Sequence, residues 1–273
     1  MCELTDLIAE MCPNGVFFKR LGGPNGVCDV APSSVDKVKS DHERTVKLCN
    51  YMDVYQNQYI TRDLLDDFMV GSVNENEYQR FVLREGQVLF TKDSETKEDI
   101  GQSAYVCSNF DDVVCGYHLA VLNPKDDVHG KYLNYVLQSH NLRSYFSKMA
   151  NGVSRYGLKL KSIEDARIPI PPLPVQKEIV RILDTFSGVV EELEQKLNAE
   201  QAARVRQYEH YRDELLSFDS NSKSVENLFA DFCLDDVEFI PLEQVLDYSQ
   251  PTPYIVKSTL YDDSYDIPVL TAG

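Results

Sequence analysis

The sequence lacks the motifs that most enzymes and metal proteins require. Its seven cysteines and five histidines show neither the C-x-x-C nor the H-E-x-x-H spacing that places two ligands on one zinc ion. It contains no G-x-x-x-x-G-K-[ST] loop for a triphosphate, no G-x-G-x-x-G turn and no G-x-S-x-G turn for a serine nucleophile. We therefore expect a protein that is not an enzyme and that uses no metal ion and no cofactor.

Long apolar runs are missing as well. No run approaches the roughly 20 apolar residues that a membrane-spanning helix needs. The first residues have neither the positively charged region nor the apolar core of a signal peptide. These absences predict a cytoplasmic protein without a membrane partner.

Basic residues are scarce, with 27 Lys and Arg against 44 Asp and Glu and a formal net charge of -17. Such a charge argues against nucleic acid as a partner, because phosphate contacts supply most of the non-specific affinity. The charge is unevenly distributed, however. Residues 219–273 carry 2 basic and 11 acidic side chains, whereas no acidic residue lies between Asp127 and Glu164. The net charge therefore does not exclude a basic surface in the first part of the chain.

Residues 1–167 mix two kinds of pattern. Short runs rich in β-branched and aromatic residues predict strands at 81–83, 86–90, 104–107 and 117–122. Apolar residues at helical spacing predict a helix over 131–149. The sequence thus predicts an α+β domain over 1–167.

A proline-rich link and a long helix follow. Prolines at 169, 171, 172 and 174 predict an extended, stiff link over 168–174. Residues 175–218 contain no proline, and apolar residues recur in alternating steps of four and three, as in a coiled coil. The predicted helix-pairing residues are Ile179, Leu183, Phe186, Val190, Leu193 and Leu197. An ordinary core helix is the alternative, but the length of the predicted helix favours pairing with a partner helix.

The acid-free window between Asp127 and Glu164 contains six cations interleaved with aromatic residues. It includes a loop over 151–157 that combines amide, hydroxyl, guanidinium and phenol groups, which hydrogen-bond phosphate oxygens and base edges. A solvated basic face is the alternative interpretation. We predict DNA-binding residues here and in the polar loop after the strand at 86–90: Thr91, Lys92, Ser94, Lys148, Asn151, Ser154, Arg155, Tyr156, Lys159 and Lys161.

The last segment repeats the apolar spacing of the first. Residues 237–242 match residues 16–21, and the run at 268–270 matches that at 46–48. Short apolar matches also arise by chance. If the repeat is real, residues 219–273 are the incomplete start of a second copy of the first domain.

The passage from 157 through the proline-rich link to 180 resembles the specificity (S) subunit of type I restriction–modification systems. The similar residues are a basic loop, the run Ile168-Pro169-Ile170-Pro171-Pro172-Leu173-Pro174, and the helix that starts with Val175-Gln176-Lys177. The resemblance implies two target-recognition domains joined by two long antiparallel helices, where each domain reads half of a bipartite DNA site. This sequence has one complete domain and one helix, so the resemblance implies a half-length form.

Two functions from different classes remain open at this point. The first is a non-catalytic DNA-recognition subunit that reads a half-site. Its partners would be double-stranded DNA, methyltransferase (M) subunits, through them the restriction (R) subunits, and a second copy of this chain bound through the long helix. The second is a helical protein-interaction adaptor without sequence-specific DNA binding. The resemblance favours the first.

Overall fold

The computed structural model describes residues 2–35, 44–217 and 240–247. The chain divides into two units, Met1–Leu193 and Glu194–Gly273, with the boundary inside the longest helix. The helices are α1 (Cys2–Met11), α2 (Tyr51–Gln56), α3 (Glu75–Phe81), α4 (Gly130–Gln138), α5 (His140–Met149), α6 (Leu160–Glu164), α7 (Leu173–Ser217) and α8 (Leu242–Val245). The strands are β1 (Phe17–Arg20), β2 (Cys28–Pro32), β3 (Arg44–Cys49), β4 (Tyr59–Ile60), β5 (Met69–Val73), β6 (Val88–Thr91), β7 (Asp93–Ser94), β8 (Ser103–Val106), β9 (Val113–Cys115), β10 (Leu119–Pro124), β11 (Asn151–Gly152), β12 (Tyr156–Gly157) and β13 (Arg167–Ile170).

A five-stranded sheet in the order β2-β10-β6-β8-β4 forms the centre of the first unit. Its strands pair antiparallel except β4 and β8, which are parallel. Along β6, Leu89 belongs to one hydrophobic cluster, whereas Val88 and Phe90 belong to the other. Because successive side chains of a strand point to opposite faces, both faces of this sheet are buried.

Different elements cover the two faces. One cluster contains residues of the three-stranded sheet β5-β3-β9 and of helix α3. The other contains residues of α4, α5 and α6, and in it the rings of Phe90 and Phe146 meet edge to face with centroids 4.9 Å apart. A β-rich domain followed by a long helix confirms the predicted α+β fold class.

Three of the four predicted strands are confirmed as β6, β8 and β10, but the strand predicted at 81–83 is wrong. Phe81 ends helix α3 instead. The Asn74 side chain accepts a hydrogen bond from the Glu77 backbone N–H at 2.9 Å, and the Glu77 carboxylate accepts one from the Asn74 N–H at 3.2 Å. This reciprocal cap starts a helix that runs into the apolar residues.

The helix predicted over 131–149 is two helices, α4 and α5, because the chain is extended at Ser139, with ψ of 148°. The proline-rich link is also not a free rod. Residues 167–170 form β13, which pairs antiparallel with β1, and Ile168 is fully buried. Helix α7 then begins at Leu173, so Pro174 lies in its first turn, where the missing backbone N–H has no helical partner.

The first turns of α7 are fixed to the domain through the buried side chain of Gln176. Its carbonyl oxygen accepts a hydrogen bond from the His129 backbone N–H at 2.9 Å. Its amide group donates to the carbonyl oxygens of Asp127 at 2.9 Å and of Pro171 at 2.8 Å. One side chain therefore connects the start of α4, the loop before it and the end of β13.

Replacing Gln176 with alanine should destabilise the domain. The change leaves a backbone donor and two acceptors without partners, and each such buried group costs on the order of 1–3 kcal/mol. Urea denaturation should show a lower free energy of unfolding, whereas Lys177→Ala, at an exposed neighbouring position, should change it by less than about 0.5 kcal/mol. Equal stability of the two variants would show that Gln176 does not fix the helix.

The second unit contains the rest of α7 and the short helix α8. The predicted second copy of the first domain, over 219–273, lies outside the described residues except for 240–247. The boundaries that the sequence predicts for the first domain, the proline-rich link, the long helix and the last segment remain predictions.

Candidate nucleic-acid interface

A small three-stranded sheet brings the two predicted DNA-binding loops together. Its order is β11-β12-β7, so the hairpin of β11 and β12 is joined to the segment after β6. Tyr156 pairs with Ser94, and Gly157 pairs with Asp93. The main candidate loop, 151–157, therefore lies beside the second one, which pairs with it through Asp93 and Ser94.

Gly152 is required for the tight turn of this hairpin. Its φ is 152°, and a Cβ atom at this position would lie 1.9 Å from the backbone oxygen of Arg155. A side chain at Gly152 would therefore force the hairpin open. The turn that follows holds Val153, Ser154 and Arg155 with all three side chains exposed.

Most of the predicted DNA-binding residues are accessible to a ligand. Tyr156 is half-buried, and its ring lies 5.3 Å from the ammonium nitrogen of Lys97. Lys148 is in the last turn of α5, directly before the hairpin, and Lys159 and Lys161 follow it. The exposed members of the set are Lys148, Asn151, Ser154, Arg155, Lys159 and Lys161.

Three members of the set are placed differently from the prediction. Thr91 is fully buried, and its hydroxyl accepts a hydrogen bond from the Gln102 backbone N–H at 2.9 Å. Ser94 is also buried, and its hydroxyl lies 3.2 Å from that of Tyr51. Lys92 forms an ion pair with Asp93 at 3.1 Å. These contacts correct the expectation: Thr91 and Ser94 support the surface from below, and the charge of Lys92 is already balanced.

The six cations of the acid-free window also have different roles. The Lys131 ammonium group pairs with Asp184 at 3.0 Å, and the Arg143 guanidinium group donates to the backbone oxygens of Ile100 and Glu98. Burial lowers the pKa of Arg143, as expected for a guanidinium group that is enclosed by the domain. In the described ranges, no ion pair involves the other four, which are Lys148, Arg155, Lys159 and Lys161.

A cleft lies beside the hairpin, and the sequence did not reveal most of it. Arg155 lines it together with residues of α2 and of the segment after β7. The rings of Tyr51 and Tyr55 stack with centroids 5.7 Å apart, and Met52 is half exposed. The lining residues are Tyr51, Met52, Tyr55, Asp93, Ser94, Glu95, Thr96, Asp99, His118 and Arg155. The run of large side chains in Tyr51-Met52-Asp53-Val54-Tyr55 is a signal of an exposed aromatic surface, but only the fold places it next to residue 155.

Two of the acidic groups of this cleft are held by neighbours. The Asp93 carboxylate lies 3.1 Å from the Lys92 ammonium nitrogen and 3.3 Å from His118 Nδ1. The Asp99 carboxylate accepts hydrogen bonds from the hydroxyls of Thr96, at 2.7 Å, and of Tyr55, at 3.2 Å. The negative charge of Asp99 raises the pKa of the Tyr55 phenol, which donates a hydrogen bond to it.

The first turns of helix α7 pack on the domain. Ile179 and Leu183 are half-buried, and Asp184 accepts hydrogen bonds from Tyr135 at 2.8 Å and Tyr59 at 3.2 Å. Burial alone would raise the pKa of Asp184, but these hydrogen bonds and Lys131 lower it overall. The exposed apolar side chains further along are Phe186 (63%), Val190 (52%), Leu193 (60%) and Leu197 (67%). Two of the six predicted helix-pairing residues are thus partly covered by this chain itself, and four present an uncovered stripe.

Two further properties concern the described residues only. Among them, no group of three or more His, Cys, Asp or Glu side chains is placed to hold a metal ion. None of their helices is both long and apolar enough to span a bilayer.

Comparison with known proteins agrees with the resemblance of residues 157–180. A family model described as the type I restriction modification DNA specificity domain matches residues 29–201. The putative type I restriction enzyme specificity subunit S.HindORF215P of Haemophilus influenzae is 30% identical over 172 residues, which are 62% of this chain and 40% of that protein. The EcoR124I/EcoR124II specificity subunit of Escherichia coli is 55% identical over 38 residues, 14% of this chain and 9% of that protein.

One solved structure, which concerns complex assembly and conformational transition of the type I R-M system, shares the fold. It has a TM-score of 0.53 at 21% identity, over 78% of this chain and 50% of that one. The chain therefore spans at most about half the length of these relatives. Because the family model covers more than half of the residues, the chain belongs to the family of type I restriction–modification DNA specificity domains.

Proposed function

We propose that this chain is a DNA-recognition component of a type I restriction–modification complex. The domain over 1–167 reads one half of a bipartite site in double-stranded DNA. The helix predicted over 175–218 connects this domain to a second one and docks methyltransferase subunits, through which restriction subunits join the complex. Family membership and the hairpin surface support the proposal.

The observation that carries it is the group of four cations on and around the hairpin that have no ion pair in the described ranges. Acidic residues outnumber basic ones in this sequence, yet within the described ranges no ion pair involves Lys148, Arg155, Lys159 or Lys161. We assign phosphate contacts to the three lysines and a base-edge contact to Arg155, since arginine is the best reader of guanine. Asn151, Ser154 and Tyr156 adjoin that contact.

The proposal assigns no chemical step to this chain. Recognition requires a stable surface rather than a nucleophile, an activated water or a cofactor, and the bound methyltransferase and restriction subunits would carry out the chemistry. The purified chain, incubated with DNA and either a divalent metal ion or S-adenosylmethionine, should therefore neither cut nor methylate it. Activity of the isolated chain would contradict this assignment.

Reading of a bipartite site needs a second recognition domain. The exposed stripe of α7 supports pairing with a second copy of the chain through antiparallel helices, and residues 219–273 are proposed to begin a second copy of the domain. A cytoplasmic location agrees with a DNA ligand. A full-length specificity chain or methyltransferase helices are the rival partners for the stripe.

Fluorescence anisotropy with a pool of labelled duplexes tests the proposal. The chain, assembled with its methyltransferase, should bind some duplexes much more tightly than others, and the affinity should fall as salt rises, because phosphate contacts release counterions. Absence of any sequence preference at every salt concentration would contradict it.

A protein-interaction adaptor is the second candidate, and the uncovered stripe of α7 is the observation that favours it. The two functions differ in their response to neutralising Arg155, Lys159 and Lys161 together. After these substitutions an adaptor should still bind its protein partner, and it has no sequence-specific DNA binding that could be lost. A recognition subunit should still bind the methyltransferase but should no longer bind DNA.

A further inference from the structure

We propose that Glu95 is a specificity-determining residue that accepts a hydrogen bond from a cytosine amino group. This inference rests on the proposed function, because it assigns a base-reading role within the same surface. It follows from the position, the free carboxylate and the surroundings of Glu95.

Glu95 and Arg155 line the same cleft. Strands β12 and β7 are antiparallel, with Tyr156 opposite Ser94 and Gly157 opposite Asp93. Glu95 directly follows Ser94 and Arg155 directly precedes Tyr156, so both residues leave the same end of this short ladder. Both side chains line the cleft next to the hairpin.

Glu95 is the acidic residue of this cleft that is still available. Asp93 is held by Lys92 and His118, and Asp99 is held by Thr96 and Tyr55. The side chain of Glu95 is exposed and, within the described ranges, has neither a hydrogen bond nor an ion pair, even with Arg155 across the cleft. Its carboxylate can therefore accept hydrogen bonds from a ligand.

The charge of Glu95 selects what that ligand group can be. A carboxylate repels phosphate, so on a DNA-binding surface Glu95 weakens backbone binding and gives no affinity of its own. The donors that DNA offers in the major groove are the amino groups of cytosine and adenine, and glutamate matches the single N4 amino group of cytosine. Arg155 matches the O6 and N7 acceptors of guanine. The two side chains together therefore fit a half-site that contains cytosine and guanine.

The rest of the cleft suits base edges better than phosphates. The stacked Tyr51 and Tyr55 rings and the half-exposed Met52 form an apolar wall next to the two charged groups. An apolar wall strengthens a hydrogen bond between charged and polar partners because it excludes water.

The test compares three forms of the full-length chain, each assembled with its methyltransferase. They are the unmodified chain, Glu95→Gln and, as a matched control, Glu98→Gln. Glu98 is exposed three residues further on, and its side chain does not line the cleft. Both substitutions remove one negative charge, so only a base contact distinguishes them. Each form is presented with a duplex of the preferred sequence and with duplexes substituted at single base pairs.

Glu95→Gln should lose on the order of tenfold discrimination in favour of cytosine at one position of the half-site. The affinity for duplexes with adenine at that position should rise, because glutamine pairs with adenine N6 and N7. Binding to random DNA should strengthen. Glu98→Gln should keep the preference at every position.

Two results would overturn the assignment. Unchanged base preference in Glu95→Gln, with or without a lower melting temperature, would show that Glu95 does not read a base. Equal weakening at all positions would assign it to positioning of the whole surface. If the unmodified chain showed no sequence preference at all, both the proposed function and this inference would be wrong. If only Glu95→Gln kept the full preference of the unmodified chain, the inference alone would be wrong.

Discussion

Replacing Leu193 with aspartate should convert the protein from a dimer into a monomer. Leu193 is 60% exposed in the single chain and lies in the stripe formed with Phe186, Val190 and Leu197. An antiparallel helix pair would bury it, and burial of a leucine side chain contributes about 1.5–3 kcal/mol. A carboxylate in its place loses that contribution and adds the cost of a buried unpaired charge. Because a twofold interface contains each residue twice, the penalty is doubled.

Light scattering at micromolar concentration measures the result. The unmodified chain should have the mass of two chains, and Leu193→Asp the mass of one. Gln195→Asp is the matched control, because it introduces the same charge at an exposed position two residues away, outside the stripe. A monomeric unmodified chain whose mass is unchanged by Leu193→Asp would end the homodimer proposal and favour a different partner for the stripe.

The second large effect is expected at the hairpin. Replacing Lys148, Lys159 and Lys161 with alanine together should weaken binding to all DNA sequences alike. The slope of log affinity against log salt is negative, and each lost phosphate contact makes it less steep by about 0.9, so the triple variant should flatten it by nearly 3. Replacing Arg155 alone should cost about 1–3 kcal/mol on the preferred sequence and relax the preference at one position.

Titrations at several salt concentrations separate these two roles. Lys177→Ala, which removes an exposed cation of α7, serves as the control and should leave both the slope and the preference unchanged. If Arg155→Ala altered neither affinity nor preference, the hairpin would not be the reading element.

Local patterns were sufficient to predict the centre of the fold. The short apolar runs within 86–90 and 117–122 form β6 and β10, and they are continuous rather than alternating because both faces of the sheet are buried. The strand predicted at 81–83 failed because apolar residues at the end of a helix resemble a short strand. The reciprocal cap of Asn74 and Glu77 was the signal for a helix there.

The candidate site was less accessible from the sequence, because its parts meet only in the folded chain. The window between Asp127 and Glu164 indicated the right loop, and the hairpin residues around Arg155 are exposed as expected. The pairing of β7 with β12 joins residues about sixty positions apart, so no local pattern could show that Thr91 and Ser94 lie beneath the surface. The same holds for Lys131, whose partner Asp184 lies on another helix.

The apolar spacing of α7 predicted which face of the helix is apolar, but not which part of that face is exposed. A repeat of four and three residues is the same whether a helix packs on its own domain or on another chain. The structure divides the six residues: Ile179 and Leu183 are partly covered by this chain, and the remaining four are exposed. Of the six, Phe186 is the first that is exposed.

Selection of bound sequences from random duplex DNA, by the chain assembled with its methyltransferase, tests the central claim most directly. Two identical reading domains related by a twofold axis read identical half-sites in opposite orientation. The account therefore predicts enrichment of one short sequence and its inverted repeat, separated by a fixed spacer without preference. A pool without enrichment would contradict DNA recognition by this chain, and an enriched site with two unrelated halves would contradict pairing with a second copy.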